Sequence, residues 1–352
     1  MQKFVFCNHD NPCEAIVAPM SMSRIAKIAG VSSATVSRVI NGSPLVNAET
    51  AARVREVIEK FAFVPDGNAT TLNRGKSEIF GLILPDLTNP FFTDLLDSFE
   101  AITSSKNQDL LTANTRFNPQ RVESCIRRML MRRVDGIALV ASEVETGPFE
   151  SLMRYHVPLV TLDRRQAGEW VSDVSIDFES ALEDAVRHLK QHGHRRIAFI
   201  GGVAGLKTST TRAQAFIKAL SKNGLRLFEE YMQEGNYRAD GGAAAMSRIL
   251  ALRHPPSAVV TANDFTAVGA LQRLNELGRS VPQQMSIIGF DDISICSLVH
   301  PQLTTLRICR DGLAQLMYQA LDDGRTSQEK RGRLYKLKAE LVVRHSVADL
   351  RR

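Results

Sequence analysis

The sequence predicts a small all-α domain joined to a larger, two-lobed α/β domain built on two doubly wound parallel sheets. Three observations predict this. Residues 21–65 show three short helix signals with capping residues and tight turns. From residue 78 onward, apolar strand signals alternate with amphipathic helix signals, as in a parallel sheet covered on both faces. The alternation lasts about 270 residues, more than one sheet usually needs, and we therefore expect two similar lobes.

The composition is that of an ordinary globular protein. The chain has 352 residues, of which 44% are hydrophobic and 23% charged, enough for two or three domains. No apolar run is long enough to span a membrane, and the run at residues 4–7 is too short for a signal peptide. We therefore expect a cytoplasmic protein with no membrane partner. The net charge of +6 permits nucleic-acid binding without requiring it.

The cysteines give no sign of disulfides or of a metal site. Five are scattered without a CxxC pair, namely Cys7, Cys13, Cys125, Cys296 and Cys309. This odd, dispersed set is typical of reduced cytoplasmic thiols. Cys7, His9 and Cys13 could be metal ligands, but we favour a disordered N-terminal extension over residues 1–20. We expect no metal and no cofactor.

The first two helices are joined by a tight turn. Ser21 or Ser23 can cap a helix that runs to about Ala29, Gly30 supplies the turn, and Ser32 can cap a second helix through residue 40. This is the spacing of a helix-turn-helix motif, although a solvated helical hairpin has the same local pattern. The apolar positions that would form its core are Ala26, Val31, Val36 and Val39. A third helix follows after Asn47, its expected cap.

The outer face of the second helix is suited to DNA. It shows Ser33, Ala34, Ser37 and Arg38, which are short side chains beside one guanidinium fork. Such side chains can reach base edges and phosphates in a major groove. A short segment at 69–74, closed by Gly75, has weak helix propensity and would need a partner surface to fold.

The α/β part contains seven strand signals and six helix signals. The strands are predicted at 80–84, 110–113, 136–140, 159–162, 196–200, 259–261 and 287–290. The helices are predicted near 91–106, 119–133, 179–191, 212–222, 240–252 and 265–277. In open parallel sheets, ligands bind beyond the carboxyl ends of the strands. The residues that follow the strands are therefore the candidates for a binding site.

Polar and aromatic side chains cluster at those strand ends. They are Asn89, Phe91, Phe92, Asp163, Arg164, Arg212, Asn263 and Asp291. Carboxylates and guanidinium forks hold paired hydroxyls, and aromatic faces pack on sugar rings. The set therefore favours polyol recognition. An enzyme is disfavoured, because the glycine-rich loop at 201–205 matches neither GxGxxG nor a P-loop and no nucleophile–base pair is visible.

The stretch RIAKIAGVSSATVSRVING, at residues 24–42, resembles the signature of the lactose-repressor family of bacterial regulators, and the resemblance continues to residue 346. It implies that Ser33 and Ala34 select bases, that Thr35 and Ser37 contact phosphate, and that Arg38 contacts a base edge. Asn41 also belongs to the implied DNA-contacting set. In the implied hinge helix at 67–77, Ala69 enters the minor groove and Leu72 wedges between base pairs. Arg24 departs from the family, which usually has an acidic residue there.

The α/β part is also similar to periplasmic sugar-binding proteins. Its strand-end residues match positions that hold pentoses or hexoses in those proteins, and Tyr237 matches their ring-stacking aromatic residue. Ile308 departs from the pattern, because relatives often have Gln there, and one polar contact is lost. The resemblance implies a helical domain over 21–66 and a ligand-binding sensor over 78–346. Lobe one would comprise 78–175 and 305–322, and lobe two 176–304 and 323–346.

The resemblance implies a ligand-responsive transcriptional repressor. It would act as a homodimer on a pseudo-palindromic double-stranded DNA operator, since two recognition helices related by a two-fold axis require two half-sites. A sugar or sugar derivative would be the small-molecule effector that releases it. A phosphosugar, a purine or a phosphoprotein is the alternative effector, and a sugar carrier without regulation is the more distant alternative.

Overall fold

The computed structural model describes residues 20–63, 76–140, 155–327 and 329–351. The chain divides into two compact units, Met1–Ser77 and Glu78–Arg352. The predicted extension, except for Met20, and most of the predicted hinge helix, including Ala69 and Leu72, lie outside the described residues. Within the described ranges, no helix combines the length and apolar character needed to cross a membrane.

The first unit contains three helices with the predicted caps. They are α1 (Met22–Ala29), α2 (Ser33–Ile40) and α3 (Ala48–Lys60). The side chains of Ser21, Ser32 and Asn47 accept hydrogen bonds from backbone N–H groups in the first turns of the three helices. Each satisfies a donor that the helix itself leaves unpaired. Gly30 ends α1 with φ of 67°, a left-handed conformation that glycine adopts without strain.

Apolar side chains from all three helices form the core of this unit. Ile25, Val36 and Val54 are fully buried, one from each helix. Ala26 and Val39 are also buried, as predicted, and Val31 packs partly buried against them. Burying one such aliphatic side chain stabilises a fold by roughly 1.5–3 kcal/mol. The core fixes α2 against α1 and leaves the opposite face of α2 exposed.

Lobe one of the second unit contains a six-stranded parallel sheet. Its strands, numbered in chain order, are β1 (Ile79–Leu84), β2 (Asp109–Asn114), β3 (Gly136–Leu139), β4 (Leu159–Leu162), β5 (Val171–Ile176) and β11 (Leu334–Leu337). The order across the sheet is β11-β5-β4-β3-β1-β2. Helices α4 (Pro90–Ser105), α5 (Pro119–Met131) and α10 (Arg310–Thr326) pack on it.

Lobe two repeats the same architecture. Its strands are β6 (Ile197–Ile200), β7 (Met232–Gln233), β8 (Ala258–Thr261), β9 (Ser286–Asp291), β10 (Thr304–Ile308) and β12 (Ala339–Val342). The order is β12-β10-β9-β8-β6-β7, and β12 alone among these strands runs antiparallel to its neighbour. The helices are α6 (Phe178–Gln191), α7 (Lys207–Lys222), α8 (Ala239–Leu250) and α9 (Asp264–Glu276), with short 3-10 segments at Glu229–Tyr231 and Ser294–Ser297.

The predicted lobe ranges are wrong for two strands, whereas α10 packs on lobe one and β12 pairs in lobe two as predicted. Strand β10 pairs with β9 in lobe two, although residues 305–308 were assigned to lobe one. Strand β11 pairs with β5 in lobe one, although 334–337 was assigned to lobe two. Only Lys338 separates β11 from β12, so one continuous extended segment serves both sheets. The boundary between the lobes falls inside this extended segment. The sequence pattern does not change there, so the boundary could not be predicted from it.

Helices α8 and α9 approach each other with their backbones in near contact. A Cβ atom at Gly242 would overlap the carbonyl oxygen of Thr266 on α9. A Cβ atom at Gly269 would overlap the carbonyl oxygen of Ala239 on α8. These two glycines therefore determine how closely α9, whose first turn faces the cleft described below, packs against α8.

Candidate functional site

A cleft lies where the carboxyl ends of the two sheets face each other. It encloses about 620 Å³, including the part that opens to solvent. Its lining residues are Pro85, Asn89, Phe91, Phe92, Phe117, Val140, Leu162, Asp163, Ile176, Thr208, Arg212, Tyr237, Asn263, Asp291 and Ile308. The structure thus brings together the side chains that follow the strands of both lobes.

Eight of the nine sequence-predicted ligand residues line this cleft, and Arg164 is the exception. The backbone of Arg164 is held instead: its N–H donates to Asp173 Oδ1 at 3.0 Å, and its carbonyl accepts from Lys207 Nζ at 2.9 Å. Several apolar lining residues were not among the predicted ligand residues. Leu162 ends a predicted strand, so a strand-end rule that included apolar residues would have found it, whereas Ile176 ends a strand that was not predicted.

Arg212 is fixed at the centre of the polar side. One guanidinium nitrogen, Nη1, donates to the carbonyl oxygen of Ala262. The guanidinium carbon lies 4.6 Å from the ring centroid of Phe178 and 4.8 Å from that of Phe290. Stacking on two aromatic rings stabilises the cation and restricts its rotamers. Arg212 is therefore preorganised, with its remaining donors available to a ligand.

Two buried carboxyl groups, Asp163 and Asp291, line the same cleft as Arg212, whose positive charge acts to lower the pKa of each. Burial raises the pKa of Asp163 to about 7, opposed by the hydrogen bond that its Oδ1 accepts from the Ile176 N–H and by the charge of Arg212. Burial also raises the pKa of Asp291 well above its ordinary range, and Arg212 opposes this shift. Each carboxyl group can therefore donate a hydrogen bond to a hydroxyl group of a ligand or accept one from it. Both groups do so at positions that bulk water does not reach.

Tyr237 is held in place by lobe two. Its carbonyl accepts from Asn263 Nδ2 at 3.0 Å, and its hydroxyl is 3.0 Å from Ser209 Oγ. The Asn263 Oδ1 atom caps α9 by accepting from the Thr266 N–H. Gly202 has no side chain, and any Cβ there would overlap the Tyr237 ring. The hydrogen bond from Asn263 therefore stabilises the conformation of Tyr237. The sequence pattern did not indicate this role.

Among the hydrogen bonds that join the lobes beside the cleft, two connect its opposite walls through lysine or arginine side chains of lobe two. Arg238 Nη2 lies 2.9 Å from Asp86 Oδ2, and Asp86 is almost fully buried. The bond from Lys207 Nζ to the carbonyl of Arg164 joins the lobes as well. We call these the cross-cleft contacts. They hold the two walls together next to Tyr237 and next to Asp163.

Most of the α2 residues predicted to contact DNA lie on its exposed face. Ser33, Ala34, Arg38 and Asn41 are exposed, whereas Thr35 is half-buried and bonded to Ser32. Asn41 Nδ2 donates to the Ser37 carbonyl at 2.8 Å, which closes the end of the helix. Across the described ranges, no cluster of three or more His, Cys, Asp or Glu residues has the arrangement of a metal site.

The sequence is similar to known repressors over most of its length. A model of bacterial regulatory proteins of the lacI family matches residues 21–66, and a model of periplasmic binding protein-like domains matches 186–347. The HTH-type transcriptional repressor PurR of Edwardsiella ictaluri is 32% identical over 92% of this chain and 96% of its own. The chain belongs to the LacI family of bacterial regulatory proteins. Catabolite control protein A of Priestia megaterium is also 32% identical, over 80% of this chain and 85% of its own.

Solved structures of LacI-family regulators share this architecture. The CelR–cellobiose complex is 26% identical and superposes with a TM-score of 0.68 over 93% of this chain and 99% of that one. A LacI-family regulator from Enterococcus faecium with bound ribose is 26% identical, with a TM-score of 0.69 over 78% of this chain and 100% of that one. The Lac repressor dimer bound to operator, at 24% identity and a TM-score of 0.83 over 94% and 99%, shows the same fold.

This LacI-family protein is a ligand-responsive DNA-binding transcriptional repressor. The helix-turn-helix unit and the two-lobed α/β unit predicted from the sequence are confirmed. The relatives are transcriptional regulators and not enzymes. The identity of the effector is not decided by the family, because members that differ in effector share this fold.

Proposed function

We propose that this repressor binds a pseudo-palindromic operator in the cytoplasm as a homodimer and is released by a neutral sugar or sugar derivative bound in the cleft. The proposal of a sugar effector rests on the charged side chains at the centre of the cleft. Arg212 is stacked on two aromatic rings and faces two buried carboxyl groups, Asp163 and Asp291. Carboxyl oxygens and a guanidinium fork can together hold adjacent hydroxyls on one sugar ring.

The charges around the cleft favour a neutral ligand over a phosphosugar. The cationic side chains nearby already have protein partners: Lys207 bonds the Arg164 carbonyl, Arg238 pairs with Asp86, and Arg310 donates to the carbonyl of Asp291 at 2.9 Å. A phosphate would enter beside two buried carboxyl groups, and among the described lining residues Arg212 is the one cation that could compensate its charge. A phosphoprotein is too large for the cleft and would have to act from the outer surface, so a purine is the alternative occupant of the cleft itself.

A thermal-shift screen of the full-length protein tests the effector class. We expect a neutral sugar to raise the melting temperature, because a ligand at 100 times its Kd adds roughly 2.7 kcal/mol of stability. The panel should include phosphosugars and hypoxanthine. The same sugar should fail to stabilise Asp291→Asn. Stabilisation by hypoxanthine alone, or equal stabilisation of Asp291→Asn by the sugar, would show that the effector proposal is wrong.

The buried Asp163 predicts a pH dependence of stability. Its pKa is raised to about 7, so between pH 4 and pH 7 the folded protein retains a proton that the unfolded chain releases. The free energy of unfolding therefore falls as pH rises through this window, by at most about 1.4 kcal/mol per pH unit for one group. Asp163→Asn should remove this contribution. Melting temperatures at pH 5 and pH 7.5 should differ less for that variant than for the natural protein. Asp97→Asn, at an exposed carboxyl, should leave the difference unchanged, and an unchanged difference in Asp163→Asn would contradict the prediction.

The proposed base contact of Arg38 predicts a change in DNA specificity. Replacing Arg38 with alanine should weaken operator binding by about 1–3 kcal/mol and relax the preference at one base pair. Arg55→Ala, at an exposed residue of α3, gives the same change of net charge. Fluorescence anisotropy with operator variants would compare the two proteins. Equal, sequence-independent losses in both variants would assign Arg38 to phosphate contact and not to base reading.

A further inference from the structure

The two walls of the cleft differ in chemistry. Seven of the nine lining residues from lobe one have side chains made only of carbon and hydrogen, among them Phe117, Leu162 and Ile176. Five of the six lining residues from lobe two carry polar groups, and Ile308 is the exception. A bound molecule therefore meets a hydrocarbon wall on one side and a polar wall on the other.

The polar wall offers fewer hydrogen bonds than its residues suggest, because the protein itself uses many of them. Asn263 bonds Thr266 and Tyr237 through its two ends, and the Tyr237 hydroxyl is engaged by Ser209. One oxygen of Asp163 accepts from the Ile176 N–H. Among the described lining residues, the groups left for a ligand are the second oxygen of Asp163, the Asp291 carboxyl, the Nδ2 amide of Asn89, and the remaining donors of Arg212 and Thr208. Ile308 adds no polar group to this set.

Ile308 interrupts the polar wall beside its centre. It follows Arg307, which pairs with Asp291 in the register between β10 and β9, so the Ile308 backbone lies next to the strand that carries Asp291. Its side chain is 1% exposed and lines the cleft. A hydroxyl pressed against this hydrocarbon would lose its bonds to water and gain no partner, which is unfavourable.

We infer that the effector is a deoxy sugar, a monosaccharide in which at least one hydroxyl oxygen is replaced by hydrogen. This inference rests on the proposed sugar effector. The polar edge of the sugar is bound by Asp163 of lobe one and by Arg212 and Asp291 of lobe two, and its hydrocarbon edge lies against Ile308 and the apolar side chains of lobe one. A fully hydroxylated partner of the same stereochemistry buries one unpaired hydroxyl and binds at least tenfold more weakly, which corresponds to about 1.4 kcal/mol.

Matched pairs of sugars that differ by one oxygen test this inference on the full-length protein. The pairs are D-fucose with D-galactose, L-fucose with L-galactose, L-rhamnose with L-mannose, and 2-deoxy-D-ribose with D-ribose. Isothermal titration calorimetry gives the Kd of each member. We expect the tightest ligand to be a deoxy sugar that binds at least tenfold more tightly than its partner. A pair in which the hydroxylated sugar is the tightest ligand would overturn the inference and leave the sugar proposal standing. If no sugar binds and hypoxanthine does, both are wrong.

The role of Ile308 is tested by changing it within the same pairs. Ile308→Gln supplies a donor and an acceptor, and it should reduce the preference for the deoxy sugar by at least tenfold. Ile308→Val keeps the hydrocarbon surface and should keep the preference. An unchanged ratio of the two Kd values in Ile308→Gln would overturn the role assigned to this residue. If Ile308→Gln does not fold, the ratio measured on the natural protein still decides the inference.

Discussion

Replacing Arg212 with methionine is expected to abolish the response of the repressor to its effector while leaving operator binding without effector unchanged. The guanidinium is the one charged donor that faces both Asp163 and Asp291 in the described part of the cleft. Methionine retains much of the contact with Phe178 and Phe290 but donates no hydrogen bond. Losing two charge-assisted bonds of about 1.5–3 kcal/mol each would weaken sugar binding by at least a hundredfold.

The measurement pairs calorimetric titration of the sugar with an operator-binding assay. Arg226→Met is a matched control, because Arg226 also lies over an aromatic ring, 4.9 Å from the centroid of Phe228, but outside the cleft. That variant should respond to the sugar as the natural protein does. Retention of normal sugar affinity in Arg212→Met would mean that the effector binds elsewhere.

Replacing Gly269 with alanine should be the most destabilising single-methyl change in lobe two. The new Cβ atom would overlap the carbonyl oxygen of Ala239, and backbone cannot rotate away as a side chain can. Helices α8 and α9 would have to separate. This should lower the free energy of unfolding by about 3 kcal/mol, the upper end of the usual cost of overpacking a core. The shift would also displace Asn263, the cap of α9, and with it Tyr237.

Urea unfolding followed by circular dichroism would measure the loss for Gly269→Ala. Gly168→Ala is the control, because a Cβ atom there meets nothing within 4 Å and the residue has no positive φ. The urea concentration at the unfolding midpoint of Gly168→Ala should lie close to that of the natural protein. A Gly269→Ala midpoint as high as that of the control would show that α8 and α9 can separate freely.

Local sequence patterns predicted most of the elements, because buried parallel strands are short apolar runs. The strand at 159–162 agrees with β4 at both ends, and the capped helices of the first unit begin where their caps predict. Helix α7 begins at Lys207 and not at 212. Its first turn is rich in Ser and Thr, which have low helix propensity, and contacts with Tyr237 stabilise it. Strands β5 and β7, strands β10 to β12, and helix α10 were not predicted. Long-range pairing, and not local periodicity, defines β10 to β12.

The candidate site was predictable in its polar half and not in its apolar half. Asp163 and Asp291 directly follow or end strands whose carboxyl ends meet at the cleft, so topology alone placed them. Phe117 and Thr208 lie in a loop and at the start of a helix, and their positions depend on how the two lobes close. Asn263 was correctly placed, but the hydrogen bonds that occupy its amide could be seen only in the folded chain.

The cross-cleft contact between Asp86 and Arg238 has a consequence for the concentration of effector at which the repressor responds. Arg238 is 48% exposed at its side chain, so the pair is partly screened by salt and contributes on the order of 1 kcal/mol to closure. That contribution favours the conformation with the walls in contact about fivefold over one in which they separate, and under the proposed release by a cleft-bound effector it would lower the required effector concentration by up to the same factor. Raised ionic strength weakens the pair and raises the threshold. The gene switch would therefore respond to the salt content of the cell as well as to its sugar.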